Sequence, residues 1–336
     1  MSNNGALMKR VHLDFISPTP VQGATHNMEI AHVKLMNRFH PSITASWRAI
    51  PAPHHLIKIN ELPAEHKKYT LPIVPNTDFI PALRGEGPAP CHSYDNPMSD
   101  LKFVASISPT PWAIVTCNTD ITTPEQLVGK KIGLEPEGGS PRILADAVLR
   151  DAWDIYDKVE LKDYHPSQVV QGLLSGDIDA TFWMQAWETL GGFECSFHSL
   201  LEEKDTYWIN LSFEDIDRIN ERNNWKLGRI LVHRGAIRVA GPKQDPPEDV
   251  GLPSFTGAIC AWDETEDKVV YELVKFLDDK SELWPEFSEG CPLNLTRMSR
   301  YPGIDEGMVH PGALKYYKEK GVDIGWPIQL QRMNYL

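Results

Sequence analysis

Apolar and polar residues alternate in VHLDFI, 11–16, which predicts a first strand; the period then lengthens, and NMEIAHVKLMNRF sets Met28, Ala31, Leu35 and Met36 on one side of a helix. The exchange repeats twice. ITASWRAI predicts a second strand, and PAPHHLIKINEL a helix beginning near Pro53. TLPIVPNTDFIPALRGEG predicts a short strand, a polar turn at Asn76 and Thr77, and a helix closed by Gly85. Residues 101–117, LKFVASISPTPWAIVTC, form a longer strand-like run broken by Pro109 and Pro111, as suits a crossing between lobes. ITTPEQLVGKKIGLEPEGGSPRILADAVL, 121–149, predicts a short helix from Pro124, a buried strand at Lys131 to Leu134, a glycine turn and a second helix. VELKDYHPSQVVQGLLSGDIDATFWM adds strand, helix and strand, with Gly176 as C-cap and Ile178 to Met184 as a parallel strand. Another helix and strand are expected in QAWETLGGFECSFHSLLEEK, and residues 205–235 are expected to be mostly helical. FTGAICAW predicts the returning crossing strand. The last helices are DKVVYELVKFL, with Val269, Val270, Leu273, Val274 and Leu277 at helical spacing, and HPGALKYYKEK.

Strands alternating with helices predict an α/β fold, each lobe a mainly parallel sheet flanked by helices, and 336 residues are enough for two lobes. The expected division is residues 1–112 with 255–336 in one lobe and 113–254 in the other, with hinge crossings near 107–116 and 250–260. In open α/β sheets ligands sit beyond the carboxyl ends of the strands, so the polar turns after those ends are expected to line one cleft between the lobes.

A formal net charge of −13 argues against a nucleic-acid partner, which needs a basic face. No apolar run reaches the length of a membrane span, and the opening MSNNGALMKRVHLDFISP has no signal-peptide core. The expectation is therefore a cytoplasmic protein as the sequence stands, or a periplasmic one if an export signal was removed. Five scattered cysteines without a C-x-x-C imply neither a disulfide framework nor a zinc knuckle.

The strongest candidate chemistry lies at the glycine turn. Gly138 and Gly139 permit a sharp reversal, Ser140 suits an N-cap, and Pro141 tolerates the first helical turn. Free amides at Gly139 and Ser140, with Arg142 beside them in the first turn, would cradle an anion at a positive helix end. Ligand-free α/β proteins use the same pattern, and neither a Walker loop nor a dinucleotide fingerprint is present. Further candidates are Ser17 and Thr19 after the first strand, and Asn76 and Thr77 after the third. Trp183 and Gln185, at the end of the Ile-Asp-Ala strand, would offer a planar wall and a polar tip. Trp183 is equally suited to a core.

Taken together, ITTPEQLVGKKIGLEPEGGSPR, QVVQGLLSGDIDATFW, DKVVYELVKFL and VHPGALKYYKEKGV resemble, in order, segments of the TAXI family of solute receptors, which serve TRAP (tripartite ATP-independent periplasmic) transporters. The resemblance runs from about residue 100 to 323. It implies a two-lobed periplasmic-binding-protein fold that closes on a small organic anion and hands it to TRAP membrane subunits, with no cofactor. The family's first lobe opens with a glycine-rich loop and an aromatic pair; SPTPVQGATHN puts Gly23 and Ala24 in place of paired glycines, and His26 and Asn27 in place of the aromatics.

Eight of the twelve histidines lie in the first 92 residues, none spaced to put two imidazoles on one helix face for a metal. His26 and His54 follow predicted strand ends, and an imidazole is the side chain suited to proton transfer near neutral pH. They keep open a second reading, a cytoplasmic lyase or decarboxylase on the same fold. Neighbouring tryptophans Trp183 and Trp187 favour an aromatic or bulky carboxylate.

Overall fold

The computed structural model describes residues 9–18, 24–50, 54–86, 94, 96–137, 140–184, 200–235, 246–287 and 294–325. The first lobe follows the predicted alternation. β1 (Val11–Ser17) leads to α1 (Ala24–Phe39), β2 (Ile43–Ala49) to α2 (His54–Asn60) and the short α3 (Ala64–Lys67), and β3 (Thr70–Pro75) to α4 (Asn76–Arg84). β1 pairs in parallel with both β2 and β3. Gly85 closes α4 in the left-handed region, φ 74°, where a side chain would be strained. Asn76 and Thr77, expected in a turn, are instead the first two residues of α4. Pro75 is extended at the N-cap and leaves no room for a loop.

The chain then crosses between lobes on β4 (Leu101–Thr116), 16 residues long. The second lobe holds β5 (Lys131–Leu134), α5 (Ser140–Ala147), β6 (Glu160–Asp163), α6 (Pro166–Ser175) and β7 (Ala180–Met184), with β5 parallel to β6 and β7. Residues 205–235 are not mostly helical. They hold β8 (Tyr207–Ile209), α7 (Phe213–Asn223) and β9 (Arg229–Val232). Ser212 and Asp215 form a capping box that starts α7, and Asn224, φ 54°, ends it. The flanking strands owe their state to distant partners, β8 to β4 and β9 to β10, which local charge patterning does not reveal.

β10 (Val250–Trp262) makes the return crossing, antiparallel to β9, β4 and β3, and α8 (Asp267–Asp279), α9 (Leu295–Met298) and α10 (Pro311–Glu319) finish the first lobe. The sheet order is β2-β1-β3-β10-β4-β7-β5-β6. The hydrophobic core changes hands along the two long strands. Phe103, Ala105 and Ile107 of β4 and Ala258 to Trp262 of β10 belong to one core with Leu13, Phe79 and Tyr301. Trp112 and Ile114 pack against Ile132, Leu144 and Phe182 on one face of the second sheet, while Ala113, Val115 and Leu252 pack against Val169, Trp183 and Trp208 on the other. Alternation along β4 sends successive side chains to opposite faces, and both faces are covered.

Candidate functional site

The corner at the end of β1 is built from polar groups that satisfy one another. Ser17, the last residue of β1, is buried and donates its hydroxyl to Glu29 Oε1 at 2.8 Å, and Trp47 Nε1 donates to Glu29 Oε2 at 2.8 Å. The His26 ring stands edge-on to Trp47, centroids 4.5 Å apart. Parallel pairing of β1 with β2 sets Phe15 across from Trp47, so strand register and the first turns of α1 bring Ser17, His26 and Glu29 together. His54 is exposed at the first residue of α2.

At the end of β3 both candidates bond within the chain. Asn76 Nδ2 donates to the Ser254 carbonyl at 3.0 Å, and Asn76 Oδ1 accepts the Thr256 amide at 3.2 Å. Both ends of the side-chain amide are thus bonded to the crossing strand β10. Thr77 is buried and donates to Asp78 Oδ1 at 2.9 Å. Asp78 is 0% exposed, and its other oxygen, Oδ2, has no hydrogen-bond partner. Burial drives its carboxyl up from the ordinary carboxylate range to about 7, with the Thr77 hydrogen bond pulling weakly the other way.

In the second lobe, Arg142 is spent inside the chain. The guanidinium is 4% exposed; Nε donates to Asp146 Oδ1 at 2.8 Å, and Nη1 to the Glu135 carbonyl at 3.0 Å and to Asp163 Oδ1 at 2.9 Å. Glu137 lies 4.0 Å from Nη2. Burial works against the charge, but the bonds and field of Asp146, then Asp163, hold it above its usual strength as a base. Its counter-charges within the chain are thus already in place. Ser140 is the first residue of α5 and buried, and its hydroxyl makes no capping bond. Trp183 is buried in the second lobe's core. Thr19, Gly139 and Gln185 lie outside the described residues, as do Gly23, Trp187, Cys91 and His92.

A family model described as the NMT1-like family matches residues 66–321. The chain belongs to the NMT1-like family. Among solved structures, the periplasmic binding protein BugD is similar, with a TM-score of 0.53 and 13% identity over 94% of this chain and 100% of that one. A structure described as a periplasmic transporter gives 0.51 and 13% over 96% and 95%. At this identity the likeness shows the fold, which is the two-lobed α/β architecture of periplasmic binding proteins.

In this NMT1-like chain the sequence reading missed Asp78, Glu29 and Tyr94. An acid in a helix first turn is ordinary, and only the packing of α4 against β10 and Tyr301 makes Asp78 unusual. Phe79 meets Tyr301 edge-on at 5.6 Å, and Tyr301 donates to the Val74 carbonyl at 3.1 Å, which seals the floor beneath α4. Tyr94, buried and without a hydrogen-bond partner, has its hydroxyl pushed up in pKa by burial and then by the field of Asp78. Among the described residues no three His, Cys, Asp or Glu side chains are grouped to hold a metal, and no helix is long and apolar enough to cross a membrane.

Proposed function

We propose that this chain is a solute-binding protein that captures a small organic anion between its two lobes by hinge closure. The carrying observation is the pair of long crossing strands. β4 and β10 each leave one hydrophobic core and enter another within a few residues, between Ile107 and Trp112 and between Leu252 and Ala258. The intervening stretches, near 107–116 and 250–260, are where two otherwise self-contained bodies would pivot. Lobe 1 is then residues 1–112 with 255–336, and lobe 2 residues 113–254. Membership of the NMT1-like family and the periplasmic-binding-protein fold support this reading.

The proposed contacts among the described residues are Ser17 and His26 at the end of β1, Thr77 with Asp78 at the end of β3, and Ser140 at the start of α5. The finer assignment, a TAXI-type receptor supplying TRAP membrane subunits from the periplasm, rests on the four ordered sequence segments between about residue 100 and 323. The test is a thermal-shift screen against small carboxylates and sulfonates, with each ligand weighed by mass spectrometry after incubation. Stabilisation by a ligand recovered intact is expected. Conversion of the ligand would replace capture with catalysis, and no stabilisation by any anion would remove the proposal.

A further inference from the structure

Asp78 is a buried acid, and among the described residues no cation is paired with it. The groups that interact with it are Thr77 on its own helix, Tyr94 from the segment after α4 and Tyr301 from the segment after α9, with the Cys260 thiol of β10 next beyond Tyr301. The field of Asp78 acts on Tyr94, and the fields of Cys260 and Asp78 on Tyr301. None of these is positively charged. An ionised carboxylate enclosed this way costs several kcal/mol, so the neutral acid is favoured, and a neutral acid is a hydrogen-bond donor. Oδ1 accepts from Thr77, which leaves Oδ2 to carry the proton, and Oδ2 has no acceptor.

Two more hydroxyls in this region are equally unspent. Tyr94 Oη and Ser106 Oγ are buried and unpartnered. Ser106 pairs with Ala258, and Ala258 with Val74, so Ser106 lies in the same cross-strand row as Val74, whose carbonyl takes the Tyr301 hydroxyl. The row lies at the carboxyl end of β3, just before α4 begins and beside the stretch where β4 and β10 leave the first core. Native interiors rarely leave several hydroxyls without an acceptor in one region; where they do, a bound group commonly supplies it. The acceptor that suits a set of neutral O–H donors at a helix N-terminus is an anionic oxygen.

We propose that Asp78 is a ligand-contacting residue of the first lobe that donates its acid proton to an oxygen of the captured anion, with the Tyr94 hydroxyl as a second donor, so that capture is linked to uptake of one proton. This rests on the capture reading above and extends it. The anion is gripped by neutral donors and not by Arg142, whose charge is neutralised inside lobe 2. An anion placed against Asp78 raises the cost of ionising it, so the proton that is partly lost near neutral pH in the free protein is regained in the complex. No bond to carbon forms or breaks; a proton passes from solvent to the carboxylate.

The experiment is titration calorimetry of the full chain with succinate and with malate, fully ionised C4 dicarboxylates above pH 7, in two buffers of different ionisation enthalpy at pH 6, 7, 8 and 9. Affinity is expected to fall about tenfold per pH unit above the free-protein midpoint, with close to one proton taken up per ligand at pH 8. Asp78→Asn should bind with a flat pH profile and no proton uptake, and Tyr94→Phe should weaken binding about tenfold while keeping the wild-type slope. Should Asp78→Asn fail to fold, the carbon-13 signal of the Asp78 carboxyl in the wild type is read at pH 8 with and without ligand, and should move to the protonated position on binding. Binding with no pH dependence and no proton uptake overturns this proposal and leaves capture standing. Absence of binding by either probe at pH 6 overturns the neutral-donor site for dicarboxylates, and the broader anion screen then decides capture separately.

Discussion

Asn76 and Ser254 are joined across 178 residues of sequence: the Asn76 side-chain amide donates to the Ser254 carbonyl at 3.0 Å, and its oxygen takes the Thr256 amide two residues on. The first residue of α4 is thereby locked to the crossing strand β10 next to the point where it passes from one core to the other. Asn76→Ala leaves a buried carbonyl and a buried amide without partners. A loss of about 2–4 kcal/mol in unfolding free energy is expected from urea titration. A change below about 0.5 kcal/mol would show that water replaces the amide and that the lock is not structural.

Arg142 is predicted to hold the fold and not the ligand. Arg142→Ala strips the buried Asp146 of its partner and should cost about 3–5 kcal/mol, the range for breaking a buried pair; the largely exposed Asp163 contributes little. Arg142→Lys should keep enough charge to fold, and its affinity for any bound carboxylate, measured by calorimetry, should stay within about twofold of wild type. A loss of a hundredfold or more would return Arg142 to the binding site.

The pH dependence of stability separates Asp78 from the buried histidines. Asp78 has a folded value raised from 3.8 to about 7, so between those values the native state holds a proton that the unfolded state has released. Stability from this group is complete below about pH 4 and is lost as pH rises toward 7. His32 and His55 act in the opposite sense. Burial lowers them from 6.5 to about 4 and about 3, so their contribution is complete above 6.5 and is lost as pH falls toward those values. Comparing Asp78→Asn with wild type at each pH from 4 to 8 cancels the histidines. The variant's stability relative to wild type should increase from pH 4 to about pH 7 and level off above it, and a constant difference throughout would mean that Asp78 titrates as an ordinary carboxyl.

Gly312 sits at the start of α10, where an added Cβ would meet the Asp267 carbonyl oxygen at 2.2 Å and the Tyr271 amide nitrogen at 3.0 Å. Backbone cannot step aside as a flexible side chain can. Gly312→Ala should lower stability by about 1–3 kcal/mol through separation of α10 from α8. Thermal unfolding checks this, and an unchanged midpoint would contradict the close approach.

Much of this architecture was legible because local signals and tertiary needs agree. The alternation of VHLDFI, the glycine after ALR at position 85, and the apolar stripe Val269, Val270, Leu273, Val274 and Leu277 each have one physical solution, and the chain adopts it. The site was less legible. The i,i+4 spacing of Arg142 and Asp146 was in plain sight as an ion-pair signal, and it outweighs the anion-binding role suggested by the glycine turn. Asn76 bonds residues some 180 positions away, which no window reveals. Asp78 becomes a neutral donor through burial, a property of the packed molecule and not of the NTDF segment. For β8 and β9, strand state comes from pairing with β4 and β10.

Small-angle X-ray scattering of the full chain, with and without a saturating carboxylate found by the thermal screen, tests capture by closure most directly. A smaller radius of gyration in the complex, with the ligand recovered chemically unchanged, is the predicted result. A ligand that binds without compaction, or that is consumed, would contradict it.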